Sequence, residues 1–180
     1  MVDPGSGLVE QLSVPTPPRG AVRWLARLPV ALYRSGLGRL LGARFLRLKH
    51  TGRTSGLPRY TVLEVLDVDR ARQTYFVASG WGERSDWVKN ITADPAVEIQ
   101  TAGRRMPARA RRLTLEQAAE KMLHYGQQHP GALQSLARVM GYRVERSEAA
   151  YRELGRRVPV FAFETGAARP AEKGREGEAA

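Results

Sequence analysis

The feature that most constrains the fold is a series of short apolar segments between residues 45 and 113, separated by turn-forming residues. The segments 45–49, 60–66, 74–79, 96–101 and 104–113 are rich in β-branched or aromatic residues and are bounded by Gly, Asp or Pro. A sixth segment of this kind spans 158–164. Ala102-Gly103 lies between two of the segments and predicts a hairpin turn. Five or six short antiparallel strands predict a small barrel or another α+β domain.

Helical patterns flank and interrupt these predicted strands. Residues 21–47 carry leucines on one side and arginines on the other, and Pro29 should divide this helical segment. Residues 85–93 predict a short helix that Ser85 or Asp86 caps and that Asp94-Pro95 ends. A further helical region over 114–154 begins with a capping box at residues 114–117.

These patterns predict one folded domain with a flexible segment at each terminus. The chain has 180 residues, which suits a single domain with a sizeable core. Residues 1–20 are rich in Pro and Gly and predict a flexible arm, whereas residues 21–164 predict the domain itself. Residues 165–180 contain too little apolar surface to order and predict a disordered tail.

A basic, glycine-bracketed turn at residues 48–59 is the strongest functional signal. Its glycines permit a tight backbone turn, its hydroxyl groups donate hydrogen bonds, and its guanidinium groups match phosphate or carboxylate. Successive backbone N–H groups in such a turn form an anion-binding nest. The segment is not a P-loop, because it lacks the Gly-Lys-Ser/Thr ending. Two interpretations stay open from these residues alone: a grip for an anionic, phosphorylated ligand, or a basic surface hairpin.

The charge balance points to an anionic partner. The 29 Lys and Arg residues exceed the 18 Asp and Glu residues and give a net charge of +11. High genomic GC content is an alternative reason for so many arginines. The basic amphipathic segment 22–48 allows peripheral contact with an anionic membrane, although a segment of this kind more often packs its apolar side on the core. A nucleic-acid partner is not expected, since the basic residues are not interleaved with aromatic stacking residues.

Motifs for metal binding or hydrolysis are missing from the sequence. The chain has no cysteine, and its three histidines are scattered, so no metal site is expected. There is no Gly-x-Ser-x-Gly or His-Glu-x-x-His motif. Neither a secretory signal nor a long apolar run is present, which predicts a cytoplasmic, or peripherally membrane-bound, location. An anion grip without a catalytic pair is compatible with redox chemistry carried by a bound organic cofactor.

Four motifs together resemble the deazaflavin-dependent nitroreductase family. They are the turn Thr51-Gly-Arg-Thr-Ser-Gly-Leu-Pro-Arg59, the strand 75–79, Trp87-x-x-Asn90 and Asp94-Pro95, within a resemblance that spans about residues 25–164. The resemblance implies an FMN-binding-like split β-barrel of five to six mainly antiparallel strands with flanking helices. It also implies coenzyme F-420, an 8-hydroxy-5-deazaflavin, as the cofactor. The implied activity is hydride transfer from reduced F-420 to a quinone, an enone or a nitro compound.

Two alternatives remain beside this activity. One is a related split-barrel reductase that uses FMN, which has a phosphate but no polyglutamate tail. The other is a non-enzymatic carrier of an anionic cofactor or lipid. The oligomeric state is left open.

The resemblance also assigns roles to individual residues. The phosphate and acidic tail of F-420 would lie on the turn, at Thr51, Gly52, Arg53, Thr54, Ser55, Gly56 and Arg59. The deazaflavin ring would lie against Ala78, Ser79 and Gly80, and Trp87 and Asn90 would close the same pocket. Tyr151, or else Ser79, would supply a proton to the acceptor. Thr54 and Gly80 depart from the pattern, because relatives often carry lysine there.

Overall fold

The computed structural model describes residues 7–13 and 44–166. Most of the predicted helical segment 21–47 and of the predicted tail 165–180 lies outside the described residues. The last residues of the predicted helical segment, 45–47, belong instead to a barrel strand. They alternate between partly exposed and fully buried side chains, which is the strand period of two.

Eight strands are seen in the described part of the chain. They are β1 Val9–Gln11, β2 Phe45–Thr51, β3 Pro58–Asp69, β4 Thr74–Ala78, β5 Ala96–Thr101, β6 Arg104–Arg112, β7 Tyr142–Val144 and β8 Val160–Glu164. Six of them close an antiparallel barrel in the order β2-β3-β4-β8-β6-β5. The predicted α+β class and small barrel are therefore confirmed. The hairpin turn between β5 and β6 is confirmed too, since Ala102 and Gly103 have φ values of 46° and 81°.

Four α-helices accompany the barrel in the same residues: α1 Asp86–Ala93, α2 Leu115–Gln128, α3 Pro130–Val139 and α4 Glu148–Arg157. A single 3₁₀ turn, Gly82–Arg84, precedes α1. The predicted capping box of α2 is formed in both directions between Thr114 and Gln117. Ser85 precedes α1, but its side chain does not cap the helix. No helix of the described segments is long and apolar enough to cross a membrane.

Two predictions for the outer parts of the chain are wrong in detail. Residues 9–11, within the expected flexible arm, form β1 and pair with β7 from Val9–Val144 to Gln11–Tyr142. β7 in turn interrupts the region 114–154, for which the sequence predicts only helices divided by turns. Both strands have only three residues, which is too short for an alternating pattern to stand out from helical spacing.

The apolar residues form two clusters on either side of the barrel wall. One fills the barrel interior, where Leu46, Leu48, Val77, Ile99 and Phe163 are fully buried, and Trp87 of α1 is packed with them. The other lies between the helical layer and the outside of β3, β4 and β8. Polar contacts join α2 to β3 within this layer. Lys121 Nζ lies 2.7 Å from Asp67 Oδ2, and the Tyr125 hydroxyl donates to Glu64 Oε1 at 2.7 Å.

Antiparallel order brings several of the predicted site elements to one end of the barrel. β2 ends and β3 begins there, with the turn 52–57 between them. β4 also ends there, next to the start of β8, since Ala78 pairs with Val160. We call this the turn end of the barrel. Ser79, the 3₁₀ turn and the start of α1 follow β4 directly, so they lie at this end as well.

Candidate functional site

The basic turn is a closed backbone loop. Gly52 N–H donates to the Leu57 carbonyl at 2.9 Å, and Gly56 N–H donates to the Gly52 carbonyl at 2.8 Å. A Cβ at Gly52 would lie 2.7 Å from Ser55 Oγ and 3.3 Å from the Leu57 carbonyl oxygen, so the tightness of the loop favours glycine at this position. Gly56 has a φ of 66°, which other residues adopt at a cost. Both glycines of the motif therefore serve the loop geometry.

Asn90 fastens this loop to α1. Its Oδ1 accepts from the Arg53 backbone N–H at 3.1 Å and from Arg53 Nη1 at 3.0 Å. Its Nδ2 lies 3.1 Å from His50 Nδ1 at the end of β2. Arg53 Nη1 also lies 3.2 Å from Asp86 Oδ1. The structure thus brings Asn90 to the turn and gives it a positioning contact there, while its predicted contact with the ring of the cofactor stays a prediction.

His50 is a buried residue of this site that the sequence did not reveal. It is 5% exposed, and burial lowers the pKa of its imidazole below the ordinary value. Because the Asn90 carbonyl oxygen is occupied by Arg53, the Asn90 amide donates to His50 Nδ1, and the imidazole proton resides on Nε2. A neutral His50 therefore completes the chain from β2 through Asn90 to Arg53. A lone histidine in a strand carries no sequence signal of such a contact.

Free hydrogen-bond donors remain on the turn. Arg59 contacts only Ser55 Oγ, at 3.4 Å, and has no carboxylate partner among the described residues. The backbone N–H groups of Thr54 and Ser55 likewise make no hydrogen bond to residues 7–13 or 44–166. Arg59 pairs in register with His50, so it stands on the barrel's inward face at the turn end. An unpaired guanidinium beside unpaired N–H groups fits a phosphate or carboxylate group.

Ser79 is engaged in holding the next loop. It is 1% exposed; its hydroxyl donates to the Gly82 carbonyl at 2.9 Å and lies 2.8 Å from Ser85 Oγ. Since Ser79 has a single hydroxyl proton, Ser85 is the donor in the second contact. This explains why Ser85 does not cap α1. The arrangement favours a role for Ser79 in shaping the loop 79–85 over the predicted role as proton donor.

Trp87 lies in the core of the barrel. It is 5% exposed, and its ring centroid is 5.3 Å from that of Phe161 in an edge-to-face arrangement. Trp87 and Asn90 share the buried face of α1, as their spacing predicted. The packing favours a structural role for Trp87, and its predicted contact with the cofactor stays a prediction.

Tyr151 lies between helices and not in the barrel. It is 6% exposed on α4, and a Cβ at Gly126 of α2 would lie 2.4 Å from its ring. The residue belongs to the apolar cluster of the helical layer, which favours packing over the predicted proton transfer. The helices α3 and α4 pack on α2 and on the β1–β7 pair.

Of the two remaining predicted positions, only Gly80 borders open space at the turn end. Ala78 ends β4 and packs against the apolar cluster of the helical layer, whereas a Cβ at Gly80 would meet no atom within 4 Å. A cavity of about 130 Å³ lies on the other flank of this end, between the 3₁₀ turn, α2 and the end of α4. It is lined by Arg112, Leu115, Arg156 and Val160, among others. The arginines there are held by carboxylates, because Arg112 pairs with Glu83 and Arg156 with Glu116. Arg59, on the flank of the basic turn, has by contrast no carboxylate partner in the part of the chain that the structure describes.

Comparison of the sequence with the profiles of known families identifies the family of this chain. Residues 24–140 match the sequence profile of the F-420H(2)-dependent quinone reductases. The chain belongs to that family. This confirms the resemblance to deazaflavin-dependent enzymes, and with it an oxidoreductase family and coenzyme F-420, rather than FMN, as the cofactor.

Three solved structures illustrate which folds resemble that of this chain. An F-420-H2 dependent reductase (FDR-A) is 21% identical with a TM-score of 0.45 and covers 67% of this chain and 94% of its own. A pyridoxamine 5'-phosphate oxidase-related FMN-binding protein from Nostoc punctiforme is 14% identical with a TM-score of 0.44, covering 82% and 81%. The heme storage protein HutZ from Vibrio cholerae is 12% identical with a TM-score of 0.47, covering 76% and 90%.

Proposed function

We propose that this protein reduces a quinone at the turn end of its barrel, using reduced F-420 as the electron donor. The observation that carries the proposal is the unpaired Arg59 beside the unpaired backbone N–H groups of Thr54 and Ser55. An enone or a nitro compound is an alternative acceptor of the same electrophilic type. The match over residues 24–140 also supports our proposal that residues 21–164 act as one domain.

The residues of the turn would bind the anionic part of the cofactor. Arg59 offers a planar set of N–H donors that suits a phosphate or a carboxylate, and the turn adds its backbone donors. Arg53 attracts an anionic ligand less strongly, because its guanidinium is already bound to Asp86 and Asn90. Asn90 and His50 hold the turn in place, so that the donors are positioned before the ligand arrives.

Open space beside Gly80 leaves room for the ring of the cofactor. A side chain at this position would project toward that space, and glycine keeps it free. When bound, reduced F-420 supplies a hydride, so the protein needs to provide only position, exclusion of water and a proton. Ser79 and Tyr151 are buried, so water is the simplest source of the proton that the acceptor needs.

The test is steady-state oxidation of reduced F-420 with menadione as the acceptor. We expect Arg59→Ala to raise the KM for reduced F-420 roughly tenfold or more, because a hydrogen bond to a charged group contributes about 1.5–3 kcal/mol. Arg105→Ala is the matched control, since Arg105 is an exposed arginine of β6 that pairs with Gln100 away from the turn end. It should behave like the wild type.

Equal KM values in Arg59→Ala, Arg105→Ala and the wild type would reject the anion grip. Binding of F-420 without turnover of any acceptor would instead favour a carrier of the cofactor.

A further inference from the structure

Exposed apolar side chains concentrate at the turn end of the barrel. Among the described residues, the large hydrophobic side chains left exposed are Leu12, Leu57, Tyr60, Leu115 and Val139. Leu57 lies in the basic turn, and Tyr60 is the third residue of β3, just beyond it. Leu115 begins α2, three residues after β6 ends at the same end of the barrel. They are 58%, 47% and 61% exposed, respectively.

Strand alternation separates these side chains from the anion grip. Arg59 pairs with His50 on the inward face of the β2–β3 hairpin, whereas Tyr60 pairs with Lys49 on its outward face. The Arg47 guanidinium lies over the Tyr60 ring, 5.0 Å from its centroid. The Leu57 backbone closes the turn, but its side chain is free. Cofactor binding therefore does not account for the exposure of Leu57 and Tyr60.

Unpaired cations accompany the apolar side chains. Lys89 on α1 and Arg59 have no carboxylate partner in residues 7–13 and 44–166, and Lys49 on β2 makes no ion pair there although it lies opposite Glu98 of β5. Three acidic residues of this end are each paired with an arginine: Glu83, Asp86 and Glu116. The end thus combines separate leucine and tyrosine side chains with a net positive charge.

We propose that the turn end docks on the surface of an anionic lipid bilayer, with Leu57, Tyr60 and Leu115 entering the headgroup region. Tyrosine and leucine are typical interfacial anchors, and lysine and arginine beside them attract anionic lipids. Two of the anchors lie on the β2–β3 flank and one lies at the start of α2. A protein interface would instead require one contiguous apolar patch with buried aromatic anchors.

The orientation has a consequence that rests on the proposed function. A bilayer at the turn end would place the open space beside Gly80 near the region where an apolar quinone dissolves. An apolar acceptor would then reach the site from the membrane, while the soluble cofactor binds at the basic turn.

The proposal is tested by co-sedimentation of the full chain with vesicles of phosphatidylglycerol and phosphatidylcholine in equal parts, and with vesicles of phosphatidylcholine alone. We expect binding only to the anionic vesicles, and weaker binding as salt is raised. The double variant Leu57→Ser/Tyr60→Ser should lower the partition coefficient roughly tenfold or more. Lys89→Gln should lower it roughly fivefold. Val139→Ser, at an equally exposed position on α3, is the matched control and should bind as the wild type does.

Unchanged vesicle binding in the Leu57→Ser/Tyr60→Ser variant would overturn the proposal and assign the lipid contact to another part of the chain. Equal binding to both kinds of vesicle, or to neither, would also overturn it. Leu115→Ser, at the start of α2 and outside the basic turn, separates this proposal from the proposed function: it should weaken vesicle binding and leave F-420 binding without vesicles unchanged. Circular dichroism checks that the double variant is folded.

Discussion

Replacing Asn90 with alanine probes the contact on which the geometry of the turn depends. The Asn90 side chain accepts two hydrogen bonds from Arg53 and donates one to His50, and it is 5% exposed. Alanine removes all three contacts. It leaves the buried His50 Nδ1 without a donor and the Arg53 backbone N–H without an acceptor. The variant should therefore lose stability and, at the same time, the fixed position of the turn.

The expected loss is about 2–3 kcal/mol in the free energy of unfolding. Each of the three hydrogen bonds contributes about 1 kcal/mol. The bond to the charged guanidinium is given the same value as the others, because Arg53 is partly exposed to water. The better helix propensity of alanine in α1 returns roughly 0.5 kcal/mol. For a chain of this length the loss corresponds to a decrease in Tm of roughly 5–10 °C. Thermal unfolding followed by circular dichroism measures it.

Asn90→Asp is the matched control, because it keeps the acceptor for Arg53 and removes only the donor to His50. In the wild type, burial lowers the pKa of His50, so the unfolded chain binds a proton that the folded chain does not. Stability therefore falls as the pH drops below about 6.5, the ordinary histidine value. A carboxylate at position 90 would raise the pKa of His50 and reverse this dependence. His50 titration by NMR reports the same change directly.

A Tm of Asn90→Ala within about one degree of the wild type would refute the reasoning. So would an Asn90→Asp variant whose stability still falls with decreasing pH as steeply as that of the wild type. Either result would mean that Asn90 does not hold the turn.

Three further predictions concern the helical layer. Tyr151→Phe should leave both the F-420 affinity and the menadione kcat unchanged, because the ring packs between helices; a lower kcat at unchanged affinity would restore Tyr151 as the proton donor. Asp67→Asn should cost about 1 kcal/mol at neutral pH. Burial raises the pKa of Asp67, but Lys121 and the Val68 backbone N–H together lower it below the ordinary value, so this difference should vanish as the pH falls through that lowered pKa in unfolding titrations. Gly155→Ala should destabilise the fold by roughly 1–3 kcal/mol, because its Cβ would lie 2.5 Å from the α2 backbone. Gly131→Ala in α3, where no atom lies within 4 Å, should not destabilise in the same denaturation assay.

The barrel strands could be predicted from the sequence because the residue patterns that mark them lie within each strand and its adjoining turns. β5 has the predicted bounds, 96–101, and β6 ends one residue before its predicted end. Alternation of buried and exposed side chains together with turn residues marks such strands. The three-residue strands β1 and β7 have no comparable signal, and their pairing joins residues more than 130 positions apart. Only the folded chain shows such a contact.

The same distinction applies to the candidate site. The glycines and arginines of the turn were recognisable because their conformational and charge preferences are properties of a short segment. The chain from His50 through Asn90 to Arg53 was not, since it links β2, α1 and the turn through side chains 37 to 40 residues apart. The burial of Tyr151 depends similarly on how closely α4 approaches Gly126. Its predicted role as a proton donor came from the family resemblance, which carries no information on this packing.

The most direct test of the account is a titration of the purified protein with F-420 and, separately, with FMN, followed by intrinsic tryptophan fluorescence. The account predicts that F-420 binds with a Kd in the micromolar range or below and more tightly than FMN. It also predicts that Arg59→Ala weakens the binding of F-420 roughly tenfold or more. The central claim would be contradicted if FMN bound more tightly than F-420 or if F-420 did not bind. It would also be contradicted if Arg59→Ala bound F-420 as tightly as the wild type does.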